Sequence, residues 1–225
     1  MKRASQAFTP QDRERINQAV QQAERGTSAE IVPVVASASG RYDRPEDMVG
    51  LWLALAALVA VWFAFPAGPE EHGSWEAAWP HWKLLAMLAA TVLAFIAGVA
   101  LATYIGPLRR LFTPRSQMAD EVAVRAHSVF YSQAAHHTAG QTGVLIYVSL
   151  YERMAAVLAD QAVMERLGQT ALDELRDTLV RGLREGDATT AFCETIRAAG
   201  RRLAAVLPRP ADDVNELPDA LVIID

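Results

Sequence analysis

The chain has 225 residues, of which 52% are hydrophobic, and its formal net charge is −5. An acidic chain without a basic stripe binds nucleic acid poorly, because neutralisation of phosphates supplies most of that affinity, so we exclude nucleic acid as a partner. The one cysteine, Cys193, cannot form an intrachain disulfide, and its count excludes a cysteine-rich metal site.

The first 35 residues predict a helix followed by a strand. Thr9-Pro10 is typical of a helix start, apolar residues recur on one face, and Gly26 ends the run. Residues 29–35 are β-branched and nearly all apolar, which predicts a strand buried on both faces. Pro33 lacks a backbone donor, so we expect this strand at a sheet edge or at a bulge. Glu30 either lies near the core or points to solvent.

Two apolar runs dominate the middle of the chain: 18 residues from Met48 to Phe65, and 23 residues from Leu84 to Gly106, none of them charged. At 1.5 Å per residue, about 20 helical residues cross a bilayer, so both runs predict transmembrane helices. All five tryptophans lie in or between the runs, as expected for the membrane interface. The alternative is a pair of buried helices in a soluble core, but such helices normally carry a polar stripe.

A hairpin of two spans returns the chain to the side it left. Residues 1–47 are too few for a stable core, so we expect them to dock onto residues 107–225 and form one domain, interrupted by the hairpin 48–106 with its loop 66–83. Arginines flank the outer ends of the hairpin (41, 44, 109, 110 and 115), whereas the loop has Glu70, Glu71 and Glu76 against Lys83. This asymmetry, with an N-terminus lacking a secretory signal, predicts that both termini lie in the cytoplasm and that the loop lies outside.

After the second span the pattern returns to that of an α/β domain. Thr113-Pro114 starts a helix that we expect to end near His137, and residues 143–150 form the strongest strand, expected to be central. Residues 154–159 predict a second strand, antiparallel to the first after a short turn. Two amphipathic helices follow, separated near Gly186-Asp187, and the tail 220–225 has room for one short strand. This order of elements predicts a mixed-sheet α/β sandwich.

Three carboxylates are candidate metal ligands. Asp160 follows the strand 154–159, and Asp43 and Asp47 follow the strand 29–35. If the two strand ends lie at the same edge of the sheet, these groups would converge on one Ca²⁺ or Mg²⁺ ion. The alternative is that they cap helices and occupy solvated loops, in which case no cofactor is required.

Other reactive residues favour structural roles. His127, His136 and His137 lack the i, i+3 or i, i+4 spacing that brings two imidazoles to one metal on a helix. Cys193 follows Phe192 on an amphipathic helix without a nearby histidine, which favours a small core residue over a nucleophile.

The segments Thr142–Leu150, Tyr151-Glu152-Arg153 and Val157–Asp160 resemble the TPM domain family, and the similarity extends over 8–35 and 117–207. Its members include photosystem-repair proteins of the thylakoid lumen, an auxiliary protein of acetylcholine receptors and many bacterial membrane proteins. The tail Asp213–Asp219 resembles a bacterial subgroup with the same membrane insertion, and this resemblance implies location in a bacterial inner membrane.

The resemblance implies an α/β sandwich and a choice between two functions. One is a non-enzymatic accessory domain that binds a membrane-associated protein or a second copy of the chain. The other is a divalent-cation-dependent phosphatase, in which Asp160 would act with Asp43 or Asp47. The chain departs from the family pattern at Ala159-Asp160, where a glycine-containing turn is common, and at Ala7-Phe8-Thr9, where an acidic residue is common. Asp160 is therefore the one candidate that carries over.

Overall fold

The computed structural model describes residues 3–64, 81–105, 110–133, 140–210 and 217–225, with the backbone alone for 43–45 and 81–82. The helices are α1 (Ala4–Ala7), α2 (Pro10–Glu24), α3 (Asp43–Ala64), α4 (His81–Tyr104), α5 (Arg115–Ser132), α6 (Gln161–Glu185) and α7 (Ala188–Val206). The strands are β1 (Glu30–Ala36), β2 (Gly143–Ser149), β3 (Met154–Ala159) and β4 (Val222–Ile224).

The described chain divides into two compact units. One comprises residues 41–115 and holds α3 and α4; the other combines residues 2–40 with 116–225 and holds the strands. The boundaries predicted from the sequence, after residues 47 and 106, both fall within the unit 41–115, several residues from its two limits. We describe the two as the hairpin unit and the α/β unit.

The sheet of the α/β unit has four strands in the order β3-β2-β1-β4. β1 is parallel to β2 along its whole length, from Glu30 opposite Gly143 to Ala36 opposite Ser149. β3 is antiparallel to β2, as predicted, and β4 is parallel to β1. The sheet is therefore mixed, and the predicted α/β class with a mixed sheet is confirmed for this unit.

The edge position predicted for β1 from Pro33 is wrong, because β1 is an interior strand. The physical reason is the shortness of β4, which pairs only with Val34, Val35 and Ala36. Ser37 donates its backbone N–H to the carbonyl of Ile224 at 2.8 Å. Backbone nitrogens of alternate residues in a strand point to the same side, so the nitrogen of Pro33, which carries no hydrogen, also faces the β4 side. Pro33 precedes the paired stretch, so its missing donor breaks no ladder hydrogen bond.

Helices cover both faces of this sheet. On one face, α2, α6 and α7 bury a core that includes Ile16, Ile31, Ile146, Leu175 and Ile196. On the other face, residues of α5 pack on alternate residues of the strands; they are Val122, Ala126, Val129 and Phe130 on the helix, and Val32, Val34, Leu145 and Tyr147 on the sheet. The alternation of strand side chains explains why both faces of β1 and β2 are apolar.

The helix ends follow local sequence signals. Thr9 caps α2, with Asp12 completing a reciprocal capping box, and Asp187 caps α7 through the amide of Thr190. Gly186, with φ of 99°, ends α6 in the left-handed conformation. α5 ends at Ser132, earlier than predicted; residues 134–139, including His136 and His137, lie outside the described residues.

In the hairpin unit, α3 and α4 approach closely at two glycines. A Cβ added to Gly98 would lie 2.7 Å from the Cα of Gly50, a distance that real Cβ atoms do not show. Ala102, one helical turn from Gly98, is fully buried. Small residues allow two helix backbones to pack closely in this way, as is typical of helix pairs in membranes.

Candidate functional site

The half of β1 that β4 does not reach is covered by a side chain from α2. The backbone N–H of Ile31 points to the side of β1 that β4 leaves uncovered, and the Oε1 atom of Glu24 accepts this hydrogen bond at 2.7 Å. Glu24 is the last residue of α2 and is 7% exposed. Its carboxyl group therefore occupies the place where a longer β4 would supply a backbone carbonyl.

A polar cavity of about 240 Å³ lies beside this carboxyl group. Thr27 closes one side, because its hydroxyl donates to the carbonyl of Leu207 at 2.7 Å and so holds the chain after α7 against the chain before β1. Arg209, just beyond, donates to the carbonyl of Glu24 at 3.4 Å. The cavity is lined by Gln21, Glu24, Arg25, Thr27, Glu30, Arg209 and Asp219.

The charges around the cavity change the protonation of Glu24. Burial, opposed by the hydrogen bond from Ile31 and reinforced by the nearby carboxylates of Glu30 and Asp219, raises the pKa of Glu24 to about 9. Asp219 is also hydrogen-bonded to Glu24 through its side chain. A neutral Glu24 can donate its carboxyl proton to the Asp219 carboxylate while its other oxygen accepts from Ile31. The raised pKa therefore keeps Glu24 protonated at neutral pH.

The structure places Asp160 at the other predicted position, after β3. It caps α6, with Oδ1 accepting from the amide of Gln161 at 2.8 Å, while Oδ2 is buried and has no hydrogen-bond partner among the described residues. Its own amide donates to the carbonyl of Gly143, at the start of β2. Asp160 thus lies at the end of the sheet where β1 and β2 begin.

The strand that precedes Asp160 and the strand β1 terminate at different ends of the sheet. β3 is antiparallel to β2, and β2 is parallel to β1. The last residues of β3 and of β1 therefore lie at opposite ends of the strands in the sheet. Asp47 is exposed on α3, and the side chain of Asp43 lies outside the described residues. Within the described part of the chain, no group of three potential metal-ligating side chains is found. The capping alternative accounts for Oδ1 of Asp160.

The remaining sequence candidates are placed as follows. Cys193 is 3% exposed within the core, and burial raises the pKa of its thiol, which supports the core interpretation. His127 is exposed on α5. Glu30 is 7% exposed and lines the cavity, which resolves the choice left open for it in favour of the protein interior.

At the opposite end of the sheet, where β1 ends, a second buried acid, Glu152, binds the backbone that follows β1. Glu152, 1% exposed, accepts from the amides of Ser39 at 2.9 Å and Gly40 at 3.4 Å, and from the hydroxyl of Ser149. The Ser39 hydroxyl lies 2.9 Å from that of Tyr147. This network fixes the backbone of residues 39–40 at the end of β1.

Sequence reasoning missed Glu24 and Glu152 as buried acids, and Asp219 as a partly exposed neighbour of Glu24. Glu24 sits at the end of an amphipathic helix and Glu152 in a turn, where carboxylates are ordinarily solvated. Their burial depends on a long-range relationship: β4 stops short of Ile31, and the backbone after β1 passes over the β2-β3 turn. No local pattern signals either event.

The comparisons with known proteins bear on the fold. No protein-family model matches the chain, and no curated protein matches it. Among solved structures, the chain is similar to the NMR structure of BA42 protein from the psychrophilic bacterium Bizionia argentinensis sp. nov., with a TM-score of 0.55 and 17% identity. The alignment covers 96% of this chain and 94% of that one. At this identity the similarity supports a shared α/β fold and nothing further about this chain.

Proposed function

We propose that this protein is a membrane-anchored accessory module, in which a TPM-like α/β unit is held at the cytoplasmic face of a bacterial inner membrane and binds a membrane-associated protein or a second copy of itself. The observation that carries the proposal is the hairpin unit. It inserts two apolar helices between the two sequence segments of the α/β unit.

The exposure of these helices supports an anchor over a soluble core. The two stretches long and apolar enough to cross a membrane are Glu46–Ala64 and Lys83–Tyr104. Of the most apolar 18 residues in each stretch, only 17% and 6% are buried. Core helices of a soluble protein would be mostly buried. Large side chains such as Trp52, Leu93 and Phe63 are 58%, 66% and 75% exposed. Such an exposed apolar surface suits the hydrocarbon interior of a bilayer, which supports the proposed anchor.

The charged groups of the hairpin lie at its ends. At one end, the Lys83 ammonium group lies 4.5 Å from the ring centroid of Trp62. At the other end, Thr103 donates to Glu46 at 3.2 Å. From Met48 to Ala64 and from Leu84 to Tyr104 the helices carry no charged residue. Charged and aromatic groups at the ends of an apolar span are typical of helices anchored at the two membrane interfaces.

Topology is the first test of the proposal. We would fuse a reporter active only in the cytoplasm, and separately one active only outside it, after Asp225, and follow the chain through alkaline carbonate extraction. The proposal predicts cytoplasmic activity and retention in the membrane pellet. As a control, Leu93→Lys places a charge at an exposed position within α4 and should weaken retention, whereas Leu93→Ile should not. Release of the parent chain by carbonate would refute the anchor.

Partner binding is tested separately. A photoreactive amino acid at Val124, which is 68% exposed on α5, should give a discrete cross-linked product in intact membranes. The same residue placed at exposed Glu165 on α6 controls for random collision. A chain that stays uncross-linked from both positions, and from a further scan of the exposed faces of α6 and α7, would refute the accessory function.

One observation favours a second candidate, the cation-dependent phosphatase. The buried Oδ2 atom of Asp160 has no hydrogen-bond partner among the described residues, and such an oxygen can receive a cation or a proton. This candidate predicts release of phosphate that depends on Mg²⁺ or Ca²⁺ and is lost in Asp160→Ala. Asp160→Asn, which retains a capping oxygen, controls for loss of the helix cap. Equal activity in the parent chain and Asp160→Ala would refute it.

A further inference from the structure

We propose that the Glu24–Asp219 pair is a protonation-controlled latch for the C-terminal strand β4: with Glu24 protonated it holds the chain before β4 against the end of α2, and with Glu24 ionised it releases that segment from β1.

The first argument is position. Asp219 lies three residues before the start of β4, and Glu24 bonds the one amide of β1 just upstream of the β4 pairing, that of Ile31. The latch therefore sits where β4 approaches β1. Next along the chain, the amide of Leu221 donates to Oδ1 of Asn17, on α2, at 2.9 Å. The same helix thus contacts the segment at two successive points.

The second argument is the small extent of the interface that the latch supports. β4 has three residues, all partly exposed, and pairs with three residues of β1. Beyond it, the side chain of Asp225 accepts from the hydroxyls of Ser5 and Ser37. Few hydrogen bonds and little buried apolar surface hold such a strand, so the loss of one contact shifts its opening equilibrium measurably.

The third argument is the charge around the pair. The groups that face Glu24 are Glu30 from β1, Asp219 before β4, Arg25 after α2 and Arg209 after α7. With Glu24 neutral, two carboxylates face two guanidinium groups. Ionisation of Glu24 adds a third carboxylate beside Glu30 and Asp219, in a place where burial penalises charge. Separation of Asp219 from Glu24 relieves this repulsion.

Thiol labelling of the full chain in detergent micelles tests the latch. Leu221 is 8% exposed, so a cysteine at Leu221→Cys reacts with a maleimide only when the segment opens. We expect its labelling rate, divided by that of the same variant carrying Glu24→Gln, to rise about tenfold between pH 8 and 10, because the ionised fraction of an acid with a pKa of about 9 rises by that factor. Glu24→Gln retains an acceptor for Ile31 and a donor for Asp219 without the titration.

Two further measurements make the result decisive. Asp219→Asn removes one of the carboxylates that raise the pKa of Glu24 and repel its ionised form, so the alkaline rise in labelling should be smaller and should occur at lower pH. Labelling of Cys193 in the chain without Leu221→Cys reports global unfolding and should stay flat over this range. An equal alkaline rise with and without Glu24→Gln, no rise at all, or a parallel rise at Cys193 would each overturn the latch.

Discussion

The carboxyl group of Glu24 accepts the backbone N–H of Ile31 at 2.7 Å, on a stretch of β1 that no strand covers from the β4 side. One side chain thus supplies the acceptor that a longer strand would have provided. The arrangement leaves a buried acid beside two other carboxylates, and this combination governs how the α/β unit responds to mutation and to pH.

Glu24→Ala is expected to destabilise the α/β unit more than Glu24→Gln. Alanine leaves the amide of Ile31 buried without an acceptor, which costs about 1–3 kcal/mol, whereas glutamine keeps both hydrogen bonds. Urea unfolding of the full chain in detergent micelles, followed by circular dichroism at pH 6, measures the difference. Equal unfolding free energies for the two variants would contradict the role assigned to Glu24.

The stability of the parent chain is expected to fall as pH rises from about 4.5 to about 9. In the folded chain the pKa of Glu24 is raised to about 9 from its ordinary value of 4.5, so in this window the folded chain keeps a proton that the unfolded chain has released. The free energy of unfolding then decreases with pH. In Glu24→Gln this contribution is absent. Parallel pH profiles for the two chains would show that Glu24 titrates normally.

Glu152→Ala is expected to lower the unfolding free energy by about 1–3 kcal/mol, because the amide of Ser39 and the hydroxyl of Ser149 lose a buried acceptor. The matched control is Glu194→Ala, an exposed carboxylate on α7 whose loss should change stability by less than about 0.5 kcal/mol. Chemical denaturation compares the two variants. A similar small effect in both would mean that the network around Glu152 contributes little.

Gly98→Leu is expected to disrupt the hairpin unit, since even a Cβ atom there would lie 2.7 Å from the Cα of Gly50. Ala97→Leu adds the same side chain at an exposed neighbouring position and is the control. Because all five tryptophans lie within 52–82, near-ultraviolet circular dichroism during heating reports on this unit. We expect a loss of about 1–3 kcal/mol for Gly98→Leu and little change for Ala97→Leu. The reverse order would show that the helices do not meet at Gly50 and Gly98.

Much of the fold was predictable because its signals are local. The cap at Thr9 and the stop at Gly186 depend on backbone groups within one helical turn, and β2 and β3 are adjacent in the chain, so their antiparallel pairing follows from a short turn. The apolar runs that form α3 and α4 are likewise evident from composition. The short strand expected in the tail is present as β4.

The tertiary structure decided what depends on residues distant in sequence. Pro33 predicted an edge strand, yet β1 is interior, because β4 arrives from almost 190 residues away and pairs only beyond that proline. Asp160 and the last residue of β1 lie at opposite ends of the strands in the sheet. The direction of a strand depends on its pairing and not on its own sequence, so the sequence did not reveal this. Glu24 and Glu152 look like surface acids in sequence. They are buried because backbone segments from elsewhere pass over them, and burial is a property of the packed chain.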